Sequence, residues 1–577
     1  MKILLVAVNA KFIHTNLAVH SLKSFSGKYK EHISIVQYSI NHTNEEILRG
    51  IFREKADVVA FSCYIWNIGM ISSIIKSLRK VQPQVKIWFG GPEVSYNPKD
   101  CLLKYKELDG IVVGEGEQTF YELIEYYLGA GKEVEDIRGI AFKDSARRHS
   151  SASKNEETTL ATPARGFLSL DDIPFAYNDM ESLSNKIIYY ESTRGCPYSC
   201  SYCLSSAQRG VRYRRIDLVK AELKTFLDYK VPQVKFVDRT FNCDKEHAME
   251  IWRFIREYDN GITNFHFEIT ADLLSEEELD ILMSLRPGLV QLEIGVQTTN
   301  PDTMKAIKRK VDFHKLAANV RSIKDAHNIH QHLDLIAGLP LEDYSSFEKS
   351  FSDVYRLKPD QLQLGFLKVL KGSIIEEECK DYGIAYNNEP PYEVLYTNHL
   401  SYDEIIELKG ICDMVEVYYN SGQFAYSMEF LEHYFDSPMK LYASLYRFYD
   451  KKGIYTLAHS RMRRYEILLK FFEELHIDDS EGESVFKEIL LFDLCLREAL
   501  RNRPDYVGTP ISYKSFRLIC DKNRWDRRGI HLEKFTYDVI ESARQGKALK
   551  KDSIIMFDYD NRDPITSSAR IKILEDE

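Results

Sequence analysis

The sequence predicts an α/β protein in which two strand–helix repeats precede a helical region. Short apolar runs alternate with amphipathic helical patterns over residues 1–145 and again over 186–374, and the alternation ends at about 375. Strands that alternate with helices pair in parallel, and the helices cover the sheet. We therefore expect two α/β domains, joined by a polar connector at 146–185, and an α-helical C-terminal domain over 375–577.

The first repeat has five strand candidates, at 3–8, 33–37, 58–61, 85–89 and 110–113. Five such units make a doubly wound, flavodoxin-like sheet, which binds ligands at the carboxyl ends of its strands. The loops at those ends are rich in glycine, which lets a ligand approach the backbone closely. A Gly-x-Gly-x-x-Gly fingerprint after the first strand is missing, which argues against NAD or FAD.

The second repeat has six strand candidates, at 187–192, 233–237, 264–269, 289–294, 329–336 and 361–366. Six units are too few for a closed eight-stranded barrel, and catalytic groups of barrels lie at the C-terminal strand ends. Polar residues stand at several of these ends, and a charge on a buried strand needs a hydrogen-bonding partner. One such residue could form a structural ion pair, whereas several around one mouth favour a polar ligand. His332 could be either a core histidine or a substrate ligand.

Three cysteines close together carry the strongest chemical signal. Cys196, Cys200 and Cys203 stand in the stretch Cys-Pro-Tyr-Ser-Cys-Ser-Tyr-Cys, directly after a strand candidate. Thiolates at this spacing converge on one metal centre, and three ligands suit a 4Fe-4S cluster with one open iron. A structural zinc site needs four ligands. The alternatives are therefore a zinc knuckle that borrows a distant residue such as Cys243, or three unrelated cysteines.

This spacing, with Tyr202 before the last cysteine, resembles the cluster loop of radical S-adenosylmethionine (SAM) enzymes. In that family the open iron chelates SAM, which is cleaved to a 5′-deoxyadenosyl radical. The first repeat, with its third-strand loop and its Gly-Gly-Pro and Gly-Glu-Gly-Glu turns, resembles the cobalamin-binding domain that precedes many radical SAM cores. The cobalt-ligating Asp-x-His-x-x-Gly motif of the mutases is absent. The resemblance implies three cofactors (a 4Fe-4S cluster, SAM and cobalamin) and a (βα)6 partial TIM barrel.

The resemblance also implies roles for individual residues. The three cysteines would hold the cluster. SAM would contact Tyr202, Asp238, Arg239, Glu268, Glu293, Gln297 and Gly338. Cobalamin would contact Asn9, His14, Ser62, Tyr64, Trp66, Gly90, Gly91, Pro92, Gly114, Glu115 and Gly116. The basic run at 308–310 stands where relatives place a cation near the SAM carboxylate, although a solvated charge run gives the same pattern.

Composition limits the function classes. The chain has 577 residues, 44 % hydrophobic residues and a net charge of −10, so it is not an obvious nucleic-acid binder. The segment 501–551 is basic and interleaved with aromatic residues, which would suit either RNA or an acidic neighbouring domain. Ten cysteines without a disulfide pattern, and no apolar run of 18 residues, predict a reduced cytoplasmic protein without a membrane span.

These observations predict a cobalamin-dependent radical SAM enzyme, with methyl transfer to an unactivated carbon as the leading hypothesis. Relatives also rearrange or cyclise substrates with both cofactors, and a non-catalytic corrinoid or metal sensor is a more distant alternative. Reduced flavodoxin or ferredoxin is the expected electron donor. The sequence does not identify the substrate, and a small molecule and a peptide both stay open.

Overall fold

A computed structural model describes residues 1–143, 159–207, 210–475, 480–500 and 503–575. The predicted connector lies outside the described residues from 146 to 158, as do the first two residues of the basic segment. The chain forms two compact units. The first comprises 1–290, 307–309 and 367–395, and the second comprises 291–306, 310–366 and 396–577. The predicted domain boundaries at 145, 185 and 374 differ from this division and stay predictions.

The first unit begins with a seven-stranded sheet. Its first five strands are parallel in the order β2-β1-β3-β4-β5, and two antiparallel strands, β6 and β7, extend it. This confirms the five predicted strands and the flavodoxin-like order. The bounds are β1 Ile3–Asn9, β2 Ile33–Ser39, β3 Val58–Ser62, β4 Lys86–Gly90, β5 Gly110–Val112, β6 Ile140–Lys143 and β7 Thr159–Ala161.

Helices cover both faces of this sheet because its strands are apolar on both sides. One face packs against Ile71 and Ile75, and the other against Phe120 and Ile124. Thr43 begins the second helix with a capping box to Glu46, which satisfies free backbone donors. The bounds are α1 Leu17–Phe25, α2 Asn44–Glu54, α3 Ile68–Val81, α4 Pro92–Ser95, α5 Pro98–Lys104 and α6 Glu117–Tyr127.

The first half of the predicted barrel also lies in the first unit. Strands β8, β11 and β12 are parallel, with β11 in the centre. A short antiparallel hairpin, β9 with β10, follows β8 and was not predicted. The bounds are β8 Ile187–Tyr190, β9 Thr193–Cys196, β10 Gly210–Tyr213, α7 Ile216–Asp228, β11 Gln233–Phe236, α8 Lys245–Glu257, β12 Asn264–Ile269 and α9 Glu276–Met283.

The loop after β1 pairs with the free side of β8. The Ile187 N–H donates to the Ile13 carbonyl at 2.7 Å, and the Thr15 N–H donates to the Ile187 carbonyl at 3.2 Å. The Thr15 hydroxyl donates to the same carbonyl at 2.9 Å. These bonds satisfy backbone groups that an edge strand would otherwise expose.

The second half of the barrel lies in the second unit. Strands β13, β14 and β15 are parallel, with β14 in the centre, so all six predicted barrel strands are present. A register shift interrupts the β13–β14 pairing between Gly295 and Gln297. The bounds are β13 Val290–Gln297, α10 Pro301–Ala306, α11 Phe313–Ala326, β14 His330–Ala337, α12 Tyr344–Tyr355 and β15 Gln361–Phe366.

A segment after β15 returns to the first unit and is anchored on Glu93. The Lys371 ammonium lies 2.9 Å from the Glu93 carboxylate, and the Tyr392 hydroxyl donates to the same oxygen. Glu93 and Tyr392 are both buried, so a charge-assisted pair fixes this segment beside the Gly90-Gly91-Pro92 turn. The segment contains α13 Ile374–Glu378 and β16 Ala385–Tyr386, and β17 Val394–Tyr396 follows.

The C-terminal region is mainly helical, as predicted, and ends in a sheet that was not predicted. Three antiparallel strands follow the helical bundle in the order β18-β19-β20. The bounds are α14 Tyr402–Val415, α15 Ala425–Glu432, α16 Pro438–Lys451, α17 Arg461–Glu474, α18 Ser480–Arg497, α19 Tyr513–Asn523, β18 Ile530–Tyr537, α20 Val539–Gln545, β19 Lys550–Arg562 and β20 Ala569–Glu575. Among the described helices, none combines the length and the apolar character that crossing a membrane requires.

Candidate active site

The β9–β10 hairpin positions the cysteine loop. Cys196 ends β9, and the loop that follows carries Cys200 and Cys203. Backbone bonds hold the loop, because the Ser201 N–H donates to the Ile307 carbonyl at 3.0 Å and the Ser201 carbonyl accepts from Ile375 at 2.9 Å. The loop is therefore fixed on both sides before any metal is considered.

The chemistry of this loop fits a cluster. The Arg309 guanidinium lies 3.8 Å from the Cys200 sulfur and 3.5 Å from the Tyr202 hydroxyl. Burial raises the pKa of the Cys200 thiol, while the Arg309 charge opposes this shift. Because a metal ligand must be a thiolate, a buried cation at this distance favours the ligating form.

The arrangement of the sulfurs also bears on the zinc alternative. Two thiolates on one tetrahedral zinc lie about 3.8 Å apart, given a zinc–sulfur bond of about 2.3 Å. Among the described residues, Cys196, Cys200 and Cys203 are not a group whose three sulfurs all lie within 4.8 Å of one another. Cys243 lies 3.3 Å from the Tyr213 hydroxyl. The three sulfurs therefore do not form the close set that a single tetrahedral ion requires.

A cavity of about 720 Å³, here called the large cavity, opens in the first unit. Loops of the N-terminal sheet line one part of it, through residues such as Asn9, Trp66 and Pro92. The first barrel strands line another part, through residues such as Lys235 and Glu268. Groups from both strand–helix repeats therefore face one space.

A smaller, apolar cavity of about 130 Å³ lies inside the N-terminal sheet domain, and we call it the apolar slot. It shares Tyr64, Gly91 and Gly114 with the large cavity. All eleven predicted cobalamin residues line one or both spaces: Asn9, His14, Ser62, Tyr64, Trp66, Gly90, Gly91, Pro92, Gly114, Glu115 and Gly116. That these residues bind cobalamin stays a prediction, but the structure brings them together.

Two glycines shape the boundary of these spaces. Gly91 has φ 113°, and a Cβ atom built there would lie 2.5 Å from the Cys63 carbonyl oxygen. Gly114 has φ 76°, and a Cβ atom there would meet no atom within 4 Å. Backbone packing therefore requires glycine at position 91. Glycine at position 114 keeps space open, which suits a large ligand that lies against the backbone.

A flat aromatic face lies on one side of the large cavity. The rings of Tyr64 and Trp66 are stacked at 4.3 Å with an interplanar angle of 7°, and 45 % of Trp66 is exposed. His14 lies 3.2 Å from the Tyr189 hydroxyl through Nδ1. Burial lowers the pKa of His14, with further lowering by Lys11 and Lys235. These side chains offer a planar apolar surface beside a neutral imidazole.

Glu115 takes part in ion pairs, which the sequence analysis did not predict. Its carboxylate lies 3.2 Å from the Arg194 guanidinium and is also paired with Arg212. Arg194 further contacts Glu117 at 2.9 Å and Glu191 at 2.7 Å. Both arginines belong to the β9–β10 hairpin. The predicted cobalamin loop is therefore joined directly to the hairpin that carries Cys196.

The predicted SAM residues of the first unit have different surroundings. Arg239 and Glu268 line the large cavity. Asp238 is fully buried, and it accepts bonds from the Ser192 N–H at 3.0 Å and from the Thr193 hydroxyl at 2.7 Å. Burial raises the pKa of Asp238 to about 6. Its observed contacts fix the start of the hairpin, so a direct contact with SAM stays a prediction.

In the second unit a polar cluster forms on β13 and β14. One ligand atom from each of Glu293, His332 and Asp334 lies within 4.8 Å of the other two, and His332 Nε2 lies 3.0 Å from Asp334 Oδ1. The neighbouring Leu333 and Leu335 are fully buried. Because side chains alternate along a strand, the polar residues face the opposite side. His332 therefore belongs to a polar cluster.

Two further predicted SAM residues lie at strand ends, Gln297 as the last residue of β13 and Gly338 directly after β14. Gln297 has φ 73°, and among the described groups its buried Oε1 has no hydrogen-bond partner. Gly338 has φ 83°. A buried amide oxygen without a protein partner is costly, so it fits a position where a ligand donates a hydrogen bond.

Several residues of the site were missed at first. Arg194, Glu191 and Lys235 line the large cavity. Arg194 stands two residues before Cys196, and this closeness was the signal that could have marked it. Its partners Glu117 and Glu115 are 77 and 79 residues away in the sequence, so these two pairings have no local pattern.

Three family comparisons cover most of the chain. Residues 3–124 match the B12 binding domain, residues 190–354 match the radical SAM superfamily, and residues 380–557 match "Protein of unknown function (DUF4080)". The first two matches agree with the predicted cobalamin-binding domain and with the predicted radical SAM core, whose cofactors are cobalamin, and a 4Fe-4S cluster with SAM.

Relatives of known function have low identity. The chain is 24 % identical over 430 residues to 2-(S-pantetheinyl)-carbapenam-3-carboxylate methyltransferase of Streptantibioticus cattleyicolor, which covers 68 % of this chain and 61 % of the relative. It is 26 % identical over 364 residues to the cobalamin-dependent radical SAM methyltransferase TokK of Streptomyces tokunonensis, covering 59 % and 51 %. The chain thus spans less than two thirds of either relative.

A solved structure agrees on the fold. OxsB, a cobalamin-dependent SAM radical enzyme with aqua-cobalamin and SAM bound, superposes with a TM-score of 0.57 at 13 % identity. The match covers 85 % of this chain and 83 % of OxsB. Domain content and fold lead to one assignment. The chain combines an N-terminal B12 binding domain, a radical SAM superfamily domain and a C-terminal DUF4080 region.

Proposed function

We propose that this enzyme transfers a methyl group to an unactivated carbon, in a reaction that depends on cobalamin and SAM. One observation carries the proposal: the glycine-rich loops of the B12 binding domain and residues of the first radical SAM strands line the same cavity. Both relatives described above are methyltransferases by name. Cofactors that share one space can act on one substrate, because a short distance between reacting groups is required for group transfer.

The protein's own groups would have distinct tasks. Cys196, Cys200 and Cys203 would hold the cluster, and the nearby Arg309 would favour the ionised form of Cys200 against the effect of burial. When bound, the cluster with SAM supplies a substrate-activating radical, and methylcobalamin supplies the methyl group. Arg239 and Glu268 would bind polar groups of SAM or substrate from the barrel side of the large cavity.

The resemblance of the sequence adds three further SAM contacts, at Glu293, Gln297 and Gly338. The unpartnered oxygen of Gln297 would accept a hydrogen bond, and Glu293 would bind a hydroxyl group. The Gly338 turn would approach the adenine with its backbone. We propose a cytoplasmic enzyme that receives electrons from reduced flavodoxin or ferredoxin, since an oxygen-sensitive cluster requires a reducing compartment.

The test is anaerobic purification with cobalamin present, followed by reduction with SAM. The measurements are bound iron, bound corrinoid, released 5′-deoxyadenosine and the mass of any product formed from an endogenous small-molecule or peptide extract. Methyl transfer predicts a product heavier by one methylene group. Deoxyadenosine with a product of unchanged mass would instead support rearrangement or cyclisation.

Two other outcomes would remove parts of the proposal. Iron and deoxyadenosine without corrinoid would exclude cobalamin-dependent methyl transfer. Cofactor binding without any deoxyadenosine would favour the corrinoid or metal sensor. Cys243→Ala is the matched control, because Cys243 lies near the cysteine loop but outside the proposed ligand set, and it should retain iron.

A further inference from the structure

Two arginines stand directly opposite each other in the cluster hairpin. Arg194 of β9 is the cross-strand partner of Arg212 of β10. Like charges in such a pair repel, since their Cβ atoms lie only about 5 Å apart. The hairpin therefore needs a source of negative charge to keep this register.

Glu191, three residues before Arg194, supplies part of that charge, and the B12 binding domain supplies the rest. Glu115 is paired with both guanidinium groups, with its Oε2 3.2 Å from Arg194 and 3.3 Å from Arg212. Glu117 adds a 2.9 Å contact to Arg194, and its carboxylate also accepts from the Ser21 hydroxyl at 3.2 Å. The turn that carries both glutamates is the Gly-Glu-Gly-Glu turn at the boundary of the two cavities.

The network is mostly shielded from water. The side chains of Arg194, Glu115 and Glu117 are exposed by 18 %, 11 % and 7 %. Ion pairs at this depth are screened less than surface pairs, and loss of one partner leaves a buried charge without compensation. Loss of an arginine from the hairpin would therefore affect the position of the glutamates, and loss of a glutamate from the turn would affect the position of the hairpin.

We propose that Arg194, Arg212, Glu115 and Glu117 couple the two cofactor sites, so that an ordered cluster hairpin strengthens cobalamin binding and bound cobalamin strengthens cluster retention. The proposal rests on the proposed function, because it assumes that both cofactors bind. It assigns positioning roles to these four residues. Coupling of this kind is reciprocal, because both ligands favour the same arrangement of the network.

The test is a binding comparison on the full chain. Aquacobalamin is titrated by visible absorption into cluster-loaded protein and into protein whose cluster has been removed with a chelator. For the wild type we expect the dissociation constant to be about tenfold lower in the cluster-loaded form, within the usual range of coupling between sites. We call the dissociation constant of the cluster-free form divided by that of the cluster-loaded form the ratio. In Arg194→Gln this ratio should fall to about one, although each cofactor still binds.

Arg215→Gln is the matched control, since Arg215 forms an exposed ion pair with Asp217 two residues away. It should keep the wild-type ratio. If Arg194→Gln fails to fold, Glu117→Gln removes one partner and keeps the arginine, and it should lower the ratio as well. An unchanged ratio in the folded variants, or a ratio of one in a wild type that binds both cofactors, would overturn the coupling. A wild type that binds no cobalamin would overturn the proposed function and the coupling with it.

A second pair of variants separates charge repulsion from general damage. Glu115→Gln leaves the two arginines opposed without their shared carboxylate, so we expect less iron per chain after reconstitution. Arg212→Gln added to Glu115→Gln removes the repulsion and should restore part of the iron. A double variant that holds no more iron than Glu115→Gln would contradict the role of the opposed charges.

Discussion

Two cavities of similar volume differ in how their polar groups are used. The large cavity of the first unit holds about 720 Å³, and a cavity of the second unit, which we call the C-terminal cavity, holds about 780 Å³. In the C-terminal cavity Asp493 accepts bonds from the Ser427 N–H and hydroxyl, and Arg497 donates to the Thr566 carbonyl at 2.6 Å. Its charged groups are thus used to join helices and loops.

The large cavity instead combines charged groups with an open glycine turn and a partly exposed aromatic face. Gly114 leaves free space, and Trp66 presents a ring to it. Cavity volume alone would favour the C-terminal cavity, so volume is a poor guide to function. The distinction is chemical, because a ligand site combines open space and an apolar surface with a few placed polar groups.

The largest expected effect concerns the cysteine loop. Cys200→Ala removes one of three cluster ligands, so bound iron and 5′-deoxyadenosine should both fall to background. Iron analysis and chromatography of the quenched reaction measure the two quantities. An active variant that retains its cluster would break the assignment of the first unit as the site of the chemistry.

The second effect tests the glycine boundary. Gly91→Val places a side chain against the Cys63 carbonyl at a φ of 113°, so the turn must move and cobalamin affinity should fall at least about tenfold. Ala425→Leu, in the lining of the C-terminal cavity, is the matched variant and should leave the affinity unchanged. Visible absorption titration measures both, and equal losses in the two variants would remove the distinction between the cavities.

The third effect concerns the C-terminal cavity and tests whether its buried Asp493 contributes to stability. Burial raises the pKa of Asp493 from 3.8 to about 7. Between pH 4 and 7 the folded state alone retains the proton, so the free energy of unfolding should fall by about 1.4 kcal/mol per pH unit as pH rises. Asp493→Asn removes this slope, which denaturant unfolding at pH 5, 6 and 7 would show. Equal slopes in variant and wild type would contradict the raised pKa.

The smallest effect concerns the anchor on Glu93. Tyr392→Phe removes a hydroxyl that donates to a buried carboxylate, while Lys371 remains paired with it. A hydrogen bond to a charged group contributes about 1.5–3 kcal/mol. The first unit should lose stability by about this amount, which thermal unfolding would detect. Tyr396→Phe, at an exposed position, should have no such effect.

The sequence predicted the repeating parts of the fold well. All five strands of the flavodoxin-like sheet and all six barrel strands are present, and no end is shifted by more than three residues. Alternation of apolar strands and amphipathic helices is a local pattern, and the packing of parallel sheets depends on it. The sequence did not predict the β9–β10 hairpin because its strands are only four residues long, which leaves little room for an alternating pattern. Strand β9 also ends at Cys196, inside the cysteine motif.

The C-terminal sheet was missed for a different reason. In strand β18, with sequence Ile-His-Leu-Glu-Lys-Phe-Thr-Tyr, Glu533, Phe535 and Tyr537 are buried, whereas Lys534 and Thr536 are exposed. The apolar alternation of the sequence is weak because one buried position is the charged Glu533, which pairs with Arg503 at 2.9 Å. The ion pairs of Arg194 with Glu115 and Glu117 could not be predicted at all, because they join residues far apart in the sequence and depend on the packing of two domains.

The pairing of the β1 loop with β8 has a practical consequence for dissecting this enzyme. A shortened chain that starts at the connector would lack Ile13 and Thr15, and the backbone of Ile187 would lose three hydrogen bonds. Its first barrel strand would then present an uncovered edge, which invites pairing with other chains. We expect such a fragment to self-associate, so the radical SAM core is better studied in the intact protein.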